Sequence, residues 1–321
     1  MSVTELGRRV GRRTRRALFL PRYHPHFGLG RSHGGYITCA GKHDRAGSQA
    51  LAVLSTMVFA DRAGLRYVHT QFREMDGTTP EEVNQWEAFF NLGHEELRVG
   101  ETGSLGLASR PLQSPADLPF SETNTLWVVR HCHDYANRFP NEYHRIASRV
   151  ARKYAAVPKD RWRSHYDPTR LNVAVHVRRG DVTRDGPYAD RYTTDGYLRS
   201  VLNDVLAVAG AVGLPVAVRL YSDGRIDEFA DLTVPGLHFH VAESPFATFN
   251  NLVEADVLVM SKSTFSYVAA LLSGGVPIYE SFSKTSFNHR PLGHWVTADE
   301  HGRVKTDTLR RALTRVATPH E

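Results

Sequence analysis

Four stretches in the second half of the chain are apolar at successive positions rather than at alternate ones: LNVAVHV (171–177), PVAVRLYSD (215–223), DVLVMS (256–261) and GVPIYE (275–280). Neighbouring side chains of a strand point to opposite faces, so such a strand needs apolar cover on both sides. A parallel sheet sandwiched between helices supplies that cover. The segments in between have the right character: GYLRSVLNDVLAVAGAVG (196–213), FATFNNLVEA (246–255) and TFSYVAALLSG (264–274) read as helices. LHFHVAE (237–243) reads as a further strand and LRRALTRVA (309–317) as a C-terminal helix.

The first half has the same alternation. YITCA (36–40) is a short strand, GKHDRAGS (41–48) a polar loop, QALAVLSTMVFADRAG (49–64) a buried helix with a glycine stop, and RYVHTQF (66–72) a second strand. This β–loop–α–β unit is how a doubly wound sheet begins. EEVNQWEAFFNLG (81–93) and YHRIASRVARKYAA (143–156) read as helices, TLWVVR (125–130) as a strand, and residues 100–121 as loop. The polar, twice proline-punctuated VPKDRWRSHYDPTR (157–170) marks a domain boundary. With 321 residues, more than one typical core supports, the division expected is an arm over 1–34, an N-terminal α/β domain over 35–160 and a C-terminal one over 161–321.

The net charge of +6 is carried in good part by Arg8, Arg9, Arg12, Arg13, Arg15 and Arg16, which face only Glu5 within the first twenty residues. That pattern is a solvated basic arm, with a peripheral membrane contact through Arg8–Arg16 as the sharper alternative. The basic residues elsewhere are dispersed and lack an aromatic-basic platform, so no nucleic-acid partner is expected. No segment reaches spanning length without charge or glycine. Two cysteines, Cys39 and Cys132, have no metal-type spacing and make no disulfide framework. A cytoplasmic protein is expected, possible association with a membrane surface resting on the arm alone.

Three strand ends carry chemistry. LNVAVHV runs into Arg178, Arg179, Gly180 and Asp181; PVAVRLY runs into Ser222 and Asp223; DVLVM runs into Ser261, Lys262, Ser263 and Thr264 ahead of an apolar helix. Taken singly, each has an ordinary structural reading: an Arg–Asp network, a turn, an N-cap. Open α/β sheets bind ligands at the carboxyl ends of their strands, and all three features fall at such ends within one domain. Together they describe a pocket for a nucleotide diphosphate, in which a guanidinium makes paired hydrogen bonds to phosphate. Strand alternation forbids Arg178 and Arg179 from facing the same way, so one reaches the ligand while the other locks the loop.

His176-Val-Arg178-Arg179-Gly-Asp181, then Tyr192 and Tyr197 about a helix start, then YSDG, then MSKSTFSYVAALLSGG resembles the ordered three-motif signature of the fucosyltransferase superfamily, best in its α-1,2 form. The match spans residues 171–280, about a third of the chain. The resemblance implies a GT-B fold of two Rossmann-like domains facing a central cleft, and inverting transfer of fucose from GDP-fucose to a hydroxyl of a glycan, peptide or small-molecule acceptor. No separate cofactor and no metal would be needed, and the chain contains no Asp-x-Asp. Donor binding would fall on His176, Arg178, Arg179, Ser222, Asp223, Ser261, Ser263, Thr264 and Ser266. The catalytic set would be Arg179, Asp181 and Arg178, with Asp185, Asp190 and Asp44 as further candidate bases.

One motif departs from the family. Where the α-1,2 enzymes carry Gly-Leu-Gly-Asn-Gln, this chain has GKHDRAGSQ (41–49), with His43, Asp44, Arg45 and Gln49 as acceptor-side or loop residues. The departure keeps two alternatives open: a degenerate, non-catalytic nucleotide- or glycan-binding module, and a transferase of another GDP-sugar.

Overall fold

The computed structural model describes residues 35–119, 124–162, 164, 166–280 and 289–317. The basic arm and its Arg8–Arg16 membrane contact therefore lie outside the described residues. The chain divides between Pro158 and Lys159 into two compact units.

The first unit holds a parallel sheet of β1 (Tyr36–Cys39), β2 (Arg66–His69), β3 (Leu97–Arg98), β4 (Ala108–Pro111) and β5 (Thr125–Val129), ordered β3-β2-β1-β5-β4. Its helices are α1 (Ala46–Ala63), α2 (Pro80–Phe90), α3 (His133–Ala136) and α4 (Pro140–Ala155). Helix α1 buries every residue from Ala46 to Ala60, and it stops at Gly64, whose φ of +66° only glycine adopts without strain. Helix α2 opens with a reciprocal cap between Thr79 and Glu82 and with Pro80 in its first turn.

The loop expected over residues 100–121 is corrected here. It contains a 3₁₀ turn at Val99–Leu105 and strand β4, paired in parallel with β5. All four β4 residues are exposed, so this edge strand is held by its backbone ladder and leaves no apolar alternation to read. β3, like the strand Val296–Thr297 of the second unit, has only two residues, too short for periodicity to reveal.

The second unit holds β6 (Leu171–Val177), β7 (Val216–Ser222), β8 (Leu237–Val241), β9 (Val257–Val259), β10 (Val276–Tyr279) and β11 (Val296–Thr297) in the order β11-β10-β9-β6-β7-β8, every pair parallel. Helices α5 (Asp195–Ala211), α6 (Pro245–Glu254), α7 (Thr264–Leu272) and α8 (Thr306–Ala317) accompany it. Counted from β6, this is the 3-2-1-4-5-6 order of the Rossmann fold. The chain winds outward one way through β7 and β8, then returns and winds the other way through β9, β10 and β11. Right-handed crossovers in the two directions place helices on opposite faces, as the apolar strands demanded. All seven residues of β6 are buried. Against them pack Leu198, Val201, Leu202, Val205 and Val208 of α5, spaced at three and four residues.

The reversal of strand order falls between β6 and β9, and at the carboxyl ends of such a pair the connections diverge and leave a crevice. The entry to β10 is tight. A Cβ at Gly275 would overlap the Ala255 carbonyl oxygen and lie 2.8 Å from that of Asp256, which also accepts the Val276 N–H at 2.9 Å. Gly275→Ala is expected to destabilise the protein by about 1–3 kcal/mol, seen as a lower melting temperature of the full chain. An unchanged melting temperature would contradict this packing.

Candidate functional site

The two arginines at the end of β6 part company. Arg178 is partly exposed and holds Asp181 with two parallel bonds, Nε donating to Oδ1 at 2.6 Å and Nη2 donating to Oδ2. Arg179 turns inward until only 1% of it is exposed. Its Nη2 donates to the Thr193 carbonyl at 3.0 Å and to Asp195 Oδ1 at 3.1 Å, and its guanidinium lies 4.1 Å from the centre of the Tyr192 ring and 5.0 Å from that of Phe229. Of the two, Arg178 is the one a ligand can reach. Arg179, placed first among the catalytic candidates on sequence, is the arginine that locks the loop.

Strand β7 delivers Ser222 and Asp223 beside this turn. Asp223 Oδ1 accepts the Arg179 backbone N–H at 2.8 Å, and its other oxygen sits where a Cβ on Gly180 would lie 2.8 Å away, so a larger residue at 180 would push against the Asp223 carboxylate. Ser222 Oγ accepts the Gly224 N–H at 3.1 Å. Asp223 remains exposed, while Ser222 is buried in the turn.

Across the switch point, Ser261 Oγ and His176 Nδ1 share a hydrogen bond of 3.1 Å, and the His176 ring lies 5.4 Å from that of Phe265. Burial pushes the His176 imidazole down to about 4; Asp223 opposes the shift and Arg178 adds to it. The ring is therefore neutral at pH 7. Ser263 caps α7 by accepting the Phe265 N–H at 3.2 Å, and Thr264 is the first helical residue, partly exposed. Ser266 is fully buried and donates to the Ser261 and Ser263 carbonyls, both at 3.2 Å, so its work is to hold the turn.

A polar network absent from the sequence reading ties these strand ends together. Thr193 Oγ1 donates to Glu280 Oε2 at 2.5 Å, and Lys262 Nζ pairs with Glu280 Oε1 at 3.0 Å. Lys262 also reaches the Tyr192 carbonyl at 3.5 Å. Burial raises the Glu280 carboxyl above its usual range, against the pull of Lys262 and Thr193. The signal for Glu280 was present in the sequence, since an acid closes the apolar strand GVPIYE at the same edge. Asp195 and Thr193 gave none, because a polar residue before a helix reads as a cap. Among the bases considered, Asp181 has both oxygens on Arg178, while Asp185 and Asp190 are exposed.

In the first unit, the loop after β1 is internally satisfied. Asp44 pairs with Lys42 at 2.6 Å and accepts from Ser48 Oγ at 2.9 Å. Burial acts to raise its carboxyl, but Lys42 and Ser48 outweigh it and the net shift is downward. Gln49 donates to the carbonyls of Asp44 and Glu74 at 2.7 and 2.6 Å, and His43 pairs with Glu74 at 2.9 Å. Arg45 precedes α1 and its side chain makes no cap. Cys39 and Cys132 are buried free thiols pushed up to about 12, burial being the main cause. Among the described residues no helix is long and apolar enough to cross a membrane.

No family model and no curated protein matches the chain. Solved structures do. One of POFUT1 in complex with GDP is 15% identical over 75% of this chain and 96% of the other, with a TM-score of 0.39. One of the α-1,6-fucosyltransferase NodZ soaked with GDP-fucose is 13% identical over 74% and 92%, with a TM-score of 0.42. The fucosyltransferase NodZ from Bradyrhizobium is 14% identical over 75% and 93%, with a TM-score of 0.41.

The neutral His176 has a pH signature. The unfolded imidazole takes its proton near 6.5 and the folded one near 4, so between those values the unfolded chain binds more protons. Stability is then expected to fall as pH drops through this window. Urea midpoints of wild type and His176→Gln across pH 4–7 check it: the wild type should lose more stability on acidification, and parallel curves would contradict a neutral buried His176.

Proposed function

We propose that the second unit binds the diphosphate of a GDP-sugar at the carboxyl edge of its sheet, and that the protein is an inverting transferase of fucose from GDP-fucose. The observation that carries this reading is the disposition of Arg178. It ends β6, a strand of the β6–β9 switch point, next to the Arg179 N–H that Asp223 accepts, with one edge of its guanidinium on Asp181. A guanidinium has five N–H donors in a planar fork. Asp181 engages the Nε–Nη2 edge and orients the group, which leaves the Nη1–Nη2 edge for phosphate oxygens. An arginine held this way neutralises charge as it develops on a departing diphosphate. Asp223 is placed to accept from a base or ribose, and neutral His176 supports the turn without adding charge. The ordered motifs of residues 171–280 carry the choice of GDP and fucose.

In this reading Asp181 is a positioning residue rather than the base, because a carboxylate clasped through both oxygens is a poor proton acceptor. A loose transition state lowers the demand for one. A second reading, binding without turnover, is favoured by the loop of residues 41–49: Asp44, Gln49 and His43 are all engaged within the first unit.

Calorimetry with GDP, UDP and ADP tests the site. Arg178→Ala is expected to weaken GDP binding by at least about 30-fold, the consequence of losing about 2 kcal/mol of charge-assisted bonding, with the melting temperature little changed. Arg179→Ala is expected to act through stability, costing about 3–5 kcal/mol by stranding buried Asp195. Equal affinity for the three nucleotides would sink the GDP reading. Release of GDP from GDP-fucose, with or without acceptor sugars, separates a transferase from a binding module.

A further inference from the structure

The connection from β6 to α5 does more than bury Arg179. Its last residues are tied to three strand ends at once. The Thr193 carbonyl accepts from Arg179 at the end of β6, the Tyr192 carbonyl accepts from Lys262 Nζ at 3.5 Å beyond β9, and Thr193 Oγ1 donates to Glu280, the residue after β10. Immediately before this clasp comes Arg191. It closes a short 3₁₀ turn, Ala189–Arg191, its N–H donates to the Tyr188 carbonyl at 2.9 Å, and its guanidinium lies 4.7 Å from the centre of the Tyr188 ring. The side chain is half-buried and near enough to Arg178 for the two charges to oppose each other.

Two half-buried guanidinia held as neighbours are unfavourable on their own, since neither can shed its proton. The acids that act on Arg191 are Asp190 and Asp181. Asp190 is exposed, where water and salt screen it, and Asp181 has both oxygens on Arg178. Burial and Arg178 outweigh Asp190, Tyr188 and Asp181, so the Arg191 guanidinium is pulled below its usual range. Arg179 is already matched by Asp195 and Lys262 by Glu280, so neither of those acids relieves the pair. We infer that Arg191 is the second arginine of a diphosphate clamp, Arg178 taking one phosphoryl group and Arg191 the other. A guanidinium fork fits phosphate oxygens in pairs, and a diphosphate presents oxygens to both forks, where a monophosphate fills one and leaves the other unrelieved. The inference rests on the donor-site reading above and adds to it a residue that none of the three motifs contains. It also doubles the positive charge that meets a departing diphosphate.

Calorimetry and melting curves of the full chain with GDP, GMP and inorganic pyrophosphate test it. Arg191→Gln removes both charge and fork, whereas Arg191→Lys keeps the charge alone. Pyrophosphate is expected to raise the melting temperature of the wild type, and to raise that of Arg191→Gln much less. GDP affinity should fall at least about tenfold in Arg191→Gln while GMP affinity changes by less than about threefold. Arg191→Lys should lie between the two, and carries the same GDP-against-GMP comparison if Arg191→Gln does not fold. The inference is overturned if the variants bind GDP as the wild type does, or if GDP and GMP weaken together, the mark of a disturbed loop. GDP selectivity over UDP and ADP that survives in Arg191→Gln at full affinity leaves the donor reading standing without the clamp. An Arg191-dependent grip on pyrophosphate with no preference among the three nucleoside diphosphates leaves the clamp and sinks the GDP reading. A wild type that binds none of these ligands overturns both.

Discussion

Everything at the carboxyl edge of the second sheet depends on one buried guanidinium. Taking an arginine out of water is costly unless each part of it finds a partner. Arg179 is held by the Asp195 carboxylate, the Thr193 carbonyl and two aromatic rings, and its Nε has no hydrogen-bond partner among the described residues. Because Asp195 begins α5 and Thr193 precedes it, the same contacts tie the far end of the connection after β6 to its near end. Strand alternation does the rest: with Arg179 turned inward, Arg178 has to turn outward. Burying one arginine presents the other.

The electrostatics of the edge follow from that division. Arg179 faces Asp195 and Lys262 faces Glu280, so these charges are matched in pairs. His176 precedes Arg178 by two residues and is without its proton, while Arg191 lies near enough to Arg178 for the two charges to oppose each other. The positive charges left around the end of β6 are then Arg178 and its neighbour Arg191, moderated by Asp181. In the reading proposed above, such an edge would hold a diphosphate by the geometry of a fork more than by net charge.

Much of this was legible in the sequence, for identifiable reasons. LNVAVHV, VAVRLYS and VPIY announced a covered parallel sheet because burial on both faces removes polar residues from both. The three motifs were legible because small polar residues and arginines interrupt apolar strands only where a turn or a site requires them. Which arginine turns outward was not legible, since alternation requires a choice without making it; the choice is made by Asp195, Thr193, Tyr192 and Phe229, residues 13 to 50 positions further along the chain. Strand β4 was illegible for the opposite reason. An exposed edge strand leaves its evidence in backbone bonds, which no side-chain pattern records.

The loop of residues 41–49 shows the limit from the other side. Read as residue types, His43, Asp44 and Gln49 form a catalytic vocabulary; as folded, each is engaged in holding the loop against Ser48 and Glu74. The strand-end cluster differs because its internal bonds leave capacity over: one guanidinium edge on Arg178, and an exposed carboxylate at Asp223. A polar residue becomes a functional candidate when the hydrogen bonds it makes fix its direction without exhausting its donors and acceptors. By that measure Arg178 and Asp223 are stronger candidates than His43, Asp44 and Gln49.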